Sequence, residues 1–319
     1  MDKERIMEKI NGIPTLPGVY KMLDEQGRVI YIGKSISLKK RVKSYFTTKH
    51  DWIKIEKMVS LIHAIEYIVT DTHLEARLLE CELIKKMKPM FNSQFKNDEK
   101  YVYLKIEDHN HYNPLSVVYN REENSFGPFR KKYFLMDLAN SLKNLYPIVR
   151  DDEGYTFEYN LIPINMDKDV YENNKQSLLN IFSNEEEMAL FIAELEKKMY
   201  DSSSKLEFSL AGFYRDLISD LNFVKKEIHD YKSILSKDIL LKIPIDKGYK
   251  LFFVSNGVIY LKATYTSLIK GDMERFIDFG RALKSSSPYK LNEKPSLDFR
   301  DIIYSEIKSL PDDMVEYLK

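Results

Sequence analysis

Two short apolar runs open the chain's readable pattern. Gly18 to Met22 and Val29 to Gly33 each have strand character, and Asp24-Glu25-Gln26-Gly27 between them has turn character. Residues 18–33 are therefore expected to form a hairpin. A short helix is expected before it, at 2–11. After it, Leu38, Val42 and Tyr45 recur at helical spacing among lysines. A second amphipathic helix is expected over 52–63, with Ile55, Met58, Val59 and Ile62 on its apolar side. Ile65 to Val69 reads as a third strand and Thr72 to Lys86 as a helix that Pro89 ends. Tyr101 to Ile106 reads as another strand.

Farther on the pattern changes. Ser125-Phe126-Gly127-Pro128 reads as a turn and 132–145 as a helix, while 150–180 suggests two tyrosine-rich strands with polar loops. Residues 185–233 are helical, with Phe213, Leu217, Leu221 and Val224 at steps of four, four and three. Residues 238–266 switch to strand, and Asn256-Gly257 between two apolar runs is a strong hairpin signal. Two helices joined by the loop Ser285-Ser286-Ser287-Pro288 are expected at the end.

Composition narrows the function classes. The 319 residues carry 49 Lys/Arg and 49 Asp/Glu, which excludes attachment to nucleic acid by bulk charge. The first 100 residues nevertheless hold 19 basic and 14 acidic side chains, a net of +5. From Lys34 to His50 there are Lys34, Lys39, Lys40, Arg41, Lys43 and Lys49 and no acid. Lys39, Lys40 and Lys43 are thus candidates for a phosphate-contacting surface. The single cysteine, Cys81, excludes an internal disulfide and a four-cysteine iron–sulfur cluster, and is expected to be a buried, inert thiol. His109 and His111 sit in a loop-like stretch without further metal ligands nearby. No apolar run approaches a membrane span, and the N-terminus lacks a signal-peptide core, so a soluble cytoplasmic protein without membrane contact is expected.

The candidate chemistry lies in the hairpin and the helix after it. Tyr20 and Tyr31 sit on paired strands, and both reach one face if the register allows. Lys34 and Arg41 follow, and Tyr45 lies one helical turn beyond Arg41. Phenols with a lysine and an arginine suit phosphodiester cleavage, because cations stabilise the charge of the phosphoryl transition state. Glu80, between apolar neighbours on its helix, is the candidate metal ligand, since one carboxylate plus waters and a phosphate oxygen makes an ordinary Mg²⁺ shell. Asn92, after Pro89, is placed to order such a site.

These residues carry a resemblance. Gly18-Val19-Tyr20 … Tyr31-Ile32-Gly33 resembles the signature of GIY-YIG nucleases. The runs LPGVYKM…GRVIYIGKSISLKKRVKSYF and IEYIVTDTHLEARLLECELIKKMKPMFN are similar to the N-terminal nuclease domain of the UvrC/Cho-like repair endonucleases. The resemblance continues through FKNDEKYVYLKI to Phe126-Gly127-Pro128-Phe129. It implies that Glu80 is the sole protein ligand of Mg²⁺ or Mn²⁺ and that Tyr31 positions or deprotonates the attacking water. It also implies that Tyr20 joins that network, Arg41 and Lys34 stabilise the phosphate, Tyr45 packs against or bonds it, and Asn92 supports the site.

Residues 187–232 resemble the UVR motif, a helical hairpin that pairs with a like hairpin in the partner UvrB. Met199, Leu206, Phe208, Tyr214 and Arg215 would be the partner-binding residues. The family's cysteine cluster is missing near Val149 to Tyr159, so no iron–sulfur cluster is expected. The 85 or so residues after 235 are too few for a second nuclease and a helix-hairpin-helix module.

The expected fold class is α+β: a small, mostly antiparallel sheet flanked by helices, then a helical hairpin and a small β-containing C-terminal domain. The expected division is a nuclease domain at 1–106, a connecting α/β region at 107–184, the UVR-like hairpin at 185–235, and a C-terminal domain of open role at 236–319. The resemblance implies a metal-dependent DNA endonuclease of excision repair that makes the 3′ incision in damaged duplex together with a UvrB-like protein. A non-cleaving DNA- and UvrB-binding module and a stand-alone structure-selective nuclease are the competing readings.

Overall fold

A computed structural model of the chain describes residues 3–47, 53–108, 113–230, 236–286 and 293–318. Lys49, His50, His109, His111 and the Ser287-Pro288 part of the last loop lie outside the described residues. The chain forms two compact units, Met1–Asp98 with Leu235–Lys319, and Glu99–Ile234.

The first unit begins with helix α1 (Lys3–Asn11), followed by strands β1 (Gly18–Leu23) and β2 (Val29–Ser35). Then come helices α2 (Leu38–Thr47) and α3 (Ile53–Ser60), strand β3 (Ala64–Val69) and helix α4 (His73–Met87). The three strands form an antiparallel sheet in the order β2-β1-β3. One side of the sheet buries Tyr20, Met22, Leu38, Val42, Tyr45 and Met58 together with Ile10 of α1. On the other side Val19 and Ile32 pack against Ala76 and Ile84 of α4.

Helix α4 has a sharp start and stop. Thr72 caps it by accepting the Glu75 amide hydrogen at 3.2 Å, the Thr-x-x-Glu pattern of a capping box. At its end Lys88 takes a left-handed conformation (φ 47°), and its amide bonds the Ile84 carbonyl at 2.8 Å. Pro89 then blocks continuation.

The second unit contains β4 (Val102–Ile106), β5 (Leu115–Val118), β6 (Ser125–Phe129) and α5 (Lys132–Lys143). The short hairpin β7 (Val149–Arg150) and β8 (Tyr155–Thr156) precedes α6 (Lys168–Ser183), α7 (Glu185–Ser204) and α8 (Phe208–Lys225). The stretch expected as a turn at 125–128 is instead β6, an edge strand in the order β5-β4-β6. Pro128 is tolerated there because an edge strand has one unpaired side. Residues 168–183, expected within strands and loops, form a sixteen-residue helix. Asn184 caps α7 by accepting from Glu186 and Glu187, and three glutamates in the first turn favour the helix dipole.

The chain then returns to the first unit with β9 (Asp238–Ile245), β10 (Gly248–Ser255) and β11 (Val258–Tyr265). Helices α9 (Lys270–Ser286) and α10 (Glu293–Ser309) and strand β12 (Val315–Leu318) complete it. The four strands are antiparallel in the order β11-β10-β9-β12. Asn256 (φ 51°) and Gly257 (φ 71°) make the β10–β11 turn, the left-handed pair that a two-residue hairpin needs. The α+β class holds in both units. No described helix is long and apolar enough to cross a membrane.

Candidate active site

Strand register places the phenols. Tyr20 pairs with Gly33 and Met22 with Tyr31. Because side chains alternate across a strand, Tyr20 and Tyr31 emerge diagonally on one face. Their ring centroids are 6.2 Å apart, and Tyr45 of α2 stands 6.0 Å from Tyr20 and 6.2 Å from Tyr31. The Tyr20 and Tyr45 hydroxyls are 2.9 Å apart, and the Tyr45 hydroxyl donates to that of Tyr31 at 3.5 Å. The three phenols form one chain running from the buried Tyr20 outward to the half-buried Tyr31. The Arg41 guanidinium stacks over the Tyr45 ring at 5.1 Å and is itself exposed.

Glu80 approaches from α4. Its Oε1 accepts the Lys34 backbone N–H at 3.0 Å, which ties the helix carboxylate to the end of β2. Among the described residues no hydrogen bond reaches its Oε2. Burial pushes the Glu80 carboxyl up, opposed by the Lys34 ammonium and backbone N–H and by Arg77 and Arg41. Burial likewise pulls the Lys34 ammonium down, with Glu80 opposing. Asn92 clamps β2 from the side. Its Oδ1 accepts from the Ile32 amide at 2.9 Å, and its Nδ2 donates to the Ile32 carbonyl at 2.8 Å. All seven residues singled out as catalytic candidates are thus brought to one end of the hairpin.

Tyr20 and Lys34 aside, the group opens onto a cleft of ≈ 340 Å³ lined by Tyr31, Arg41, Tyr45, Glu80 and Asn92. Lys54, Ser93 and Gln94 complete its polar lining. Lys54, which donates to Ser93 Oγ at 2.9 Å, escapes a reading of the sequence. It sits four residues before Met58, a spacing that places it beside the apolar side of α3, but nothing in the sequence says that this side borders the cleft.

The donor set is hard and oxygen-rich, one outward carboxylate oxygen beside phenols and open volume. That fits a divalent cation that keeps most of its shell as water and substrate oxygen. Among the described residues there is no cluster of three or more His, Cys, Asp or Glu side chains able to hold a metal.

The Tyr31 and Tyr20 phenols are not poised as bases. Burial first, then the Tyr45 phenol, then the Glu80 charge push the Tyr31 phenol well above its ordinary range. Burial and the two neighbouring phenols push Tyr20 up as well. Both hydroxyls stay protonated near neutral pH.

The basic side chains of α2 divide. Lys40 and Lys43 are exposed, whereas the Lys39 ammonium donates to the Asn11 carbonyl at 2.7 Å and closes the end of α1. The candidate partner residues also divide. Leu206 (φ 64°) and Phe208 stand exposed at the tip of the α7–α8 hairpin. Arg215 is exposed and paired with its neighbour Asp216, and Met199 is half-buried against the unit's core. Tyr214 is buried in that core, where desolvation pushes its phenol up to about 12.

The hairpin thus presents tyrosines from both strands, with an arginine on the following helix and a carboxylate from a helix across the sheet. Residues 16–93 match the family model of the UvrC-like GIY-YIG domain, and residues 190–222 match that of the UvrB/uvrC motif. It is 31% identical to UvrABC system protein C of Acetivibrio thermocellus, over 89% of this chain and 49% of that one. It is 30% identical to the protein of the same name from Clostridioides difficile, over 95% and 53%. The chain spans about half the length of the curated relatives it matches. Among solved structures, it is similar to the magnesium-bound N-terminal endonuclease domain of UvrC from Thermotoga maritima. That match has 37% identity, covers 29% of this chain and 100% of that one, and has a TM-score of 0.27.

Proposed function

We propose that this chain is a metal-dependent endonuclease of nucleotide excision repair that hydrolyses one phosphodiester bond, 3′ to a lesion, in cooperation with a UvrB-like partner. The observation that carries the reading is the convergence of Tyr31, Tyr45, Arg41 and the Lys34-tethered Glu80 on one cleft, with Tyr20 bonded to Tyr45 behind it.

Glu80 would hold a divalent cation, Mg²⁺ or Mn²⁺, whose chemistry is to withdraw charge from the scissile phosphate and the departing 3′ oxygen. The exposed guanidinium of Arg41 and the Lys34 ammonium grip the phosphate and offset the charge that builds in the transition state. Tyr31 orients a water for in-line attack. The water oxygen bonds to phosphorus as the bond to the 3′ oxygen breaks, the water's proton passing to solvent and the 3′ oxygen leaving to take up a solvent proton as the hydroxyl. Because its phenol stays protonated, Tyr31 acts as a hydrogen-bonding guide for that water. Tyr45 relays between Tyr31 and Tyr20 and backs Arg41. Asn92 keeps the Ile32–Lys34 backbone where Glu80 meets it. Lys40 and Lys43 extend the cationic surface along α2 and follow the strand backbone. The apolar tip at Leu206 and Phe208 is the surface offered to the UvrB-like hairpin, and it fits an enzyme delivered by a partner because its net charge is zero.

The test is a lesion-containing duplex labelled on the damaged strand, incubated with Mg²⁺ or Mn²⁺, with and without UvrB. The expected result is one UvrB-dependent nick 3′ to the lesion, absent for Glu80→Ala. A Glu80→Ala protein that nicks at the normal rate would remove the site assignment. Cutting that ignores both lesion and UvrB would make the chain a stand-alone nuclease.

A further inference from the structure

Helix α4, which bears Glu80, packs on the sheet through Ala76 and Ile84 against Val19 and Ile32, with Leu79 and Leu83 partly buried beside them. Ala76 and Ile84 lie one turn either side of Glu80 on the same stripe. The adjacent stripe of α4, Arg77, Cys81 and Lys85, faces the C-terminal helix α10. Arg77 Nη1 meets Glu306 Oε2 at 2.8 Å, and its other terminal nitrogen donates to Ser305 Oγ. Eight residues on, Lys85 meets Asp298 Oδ2 at 2.7 Å and is also paired with Asp98. The Asp298 side chain is 1% exposed. The spacing is eight residues on both helices, in opposite directions. The two helices therefore run antiparallel and are pinned at points about 12 Å apart that bracket Glu80. Cys81, fully buried, fills the space between the pins.

The start of α4 is held by the same part of the chain. Lys250 of β10 bonds Asp71 at 2.6 Å, and Lys262 of β11 bonds Glu75 at 2.8 Å. With Lys250 also 3.6 Å from Glu75, five ion pairs among the described residues run from 250–306 to α4 and the residue before its cap. Half-buried ion pairs of this kind add little to net stability. They do fix direction and register.

We propose that residues 236–318 complete the nuclease module, with Glu306 and Asp298 as positioning residues that set the height and rotation of α4 and so aim the Glu80 carboxylate into the cleft. The proposal rests on the reading of Glu80 as the metal ligand. The chain interrupts its nuclease with the second unit and returns to brace the metal-bearing helix. Residues 16–93 alone hold every candidate catalytic side chain but not the brace.

The test uses the full chain with Glu306→Gln, Asp298→Asn and the double variant Arg77→Gln/Glu306→Gln. Amide hydrogen exchange is read over 77–86 and over 18–35, and Mn²⁺ binding by electron paramagnetic resonance. Glu306→Gln is expected to speed exchange about tenfold or more over 77–86 with 18–35 unchanged, and to weaken Mn²⁺ binding by about 10- to 100-fold. Nicking should then lose kcat with KM for DNA held. The double variant, which leaves neither charge, should stay weak.

Wild-type exchange and Mn²⁺ affinity in Glu306→Gln would overturn the proposal. So would equal loss of protection over both segments, which is general destabilisation, or full recovery of affinity in the double variant, which would make the effect one of stray charge. If Glu306→Gln does not fold, Asp298→Asn at the far pin decides by the same readings. If wild-type protein shows no Glu80-dependent Mn²⁺ site, the nuclease reading falls, and the exchange of 77–86 still decides the brace.

Discussion

A Cβ placed on Gly33 would lie 2.3 Å from the Tyr20 hydroxyl and 2.5 Å from its Cζ. The two residues are register partners on β1 and β2, so the Tyr20 ring occupies the space that any side chain at Gly33 would need. The signature glycine is thus a requirement of the phenol beside it. Gly33→Ala is expected to push the ring off Tyr45, to cost about 1–3 kcal/mol as an overpacked core does, and to slow nicking by about 100-fold through misplacement. Urea midpoints and single-turnover rates on one preparation check both. Unchanged rates would mean the Tyr20–Tyr45 contact is dispensable.

Asn92 gives a separate test of scaffolding. Its amide satisfies both backbone groups of Ile32, a residue that is fully buried. Asn92→Ala leaves a buried donor and acceptor unpaired, at about 1–3 kcal/mol each. A fall in thermal midpoint with weakened Mn²⁺ binding is expected. A stable variant that loses only activity would instead place Asn92 against substrate.

How much of this was legible beforehand depends on what kind of residue marks each feature. The hairpin at 18–33, the α2 stripe Leu38-Val42-Tyr45 and the Asn256-Gly257 turn follow from local chemistry, and each is written where it acts. Helix α6 was hidden because its core face is partly polar. Asn174 and Ser177 are buried on it and bond the backbone of Ile148 and Arg150. Those polar positions break the apolar period and mimic loop composition. The brace on α4 was hidden for another reason. Arg77 and Glu306, or Lys85 and Asp298, are over 200 residues apart, and each looks like an ordinary surface charge in its own window. Glu80 stands out in the sequence as an acid among apolar neighbours, but its tether is the backbone of Lys34, which no side-chain pattern records.

The second unit carries a pH-sensitive contact. Arg150 bonds Glu187 at 2.8 Å, and the Tyr155 hydroxyl donates to the same carboxylate at 2.6 Å. The Arg150 bond first, then Tyr155, hold the Glu187 carboxyl below its ordinary range. A carboxyl lowered on folding adds stability above its unfolded pKa, about 4.3, and that stability is lost as pH falls through the folded value. Wild type should therefore lose more of its urea midpoint between pH 7 and pH 4 than Glu187→Gln does. Parallel curves would mean the contact is solvent-screened and silent.

The helical hairpin separates surface from core within one motif. Leu206 and Phe208 are 73% and 66% exposed, whereas Tyr214, six residues beyond Phe208, is 2% exposed and packs with Phe213 and the α7–α8 core. If the tip is what a UvrB-like hairpin grips, Leu206→Ser with Phe208→Ser should weaken binding to UvrB by about 2 kcal/mol or more, the loss of two apolar anchors, with the thermal midpoint unmoved. Tyr214→Ala should do the opposite first: it should cost about 3–5 kcal/mol of stability, as large buried aromatics do when truncated. Any loss of binding would then follow from unfolding. Binding titrations at a temperature where all variants are folded distinguish the two. A tip variant that binds UvrB as tightly as wild type would place the contact elsewhere on the hairpin. Tyr214→Ala that weakens binding without loss of stability would require the hairpin to open when it meets its partner.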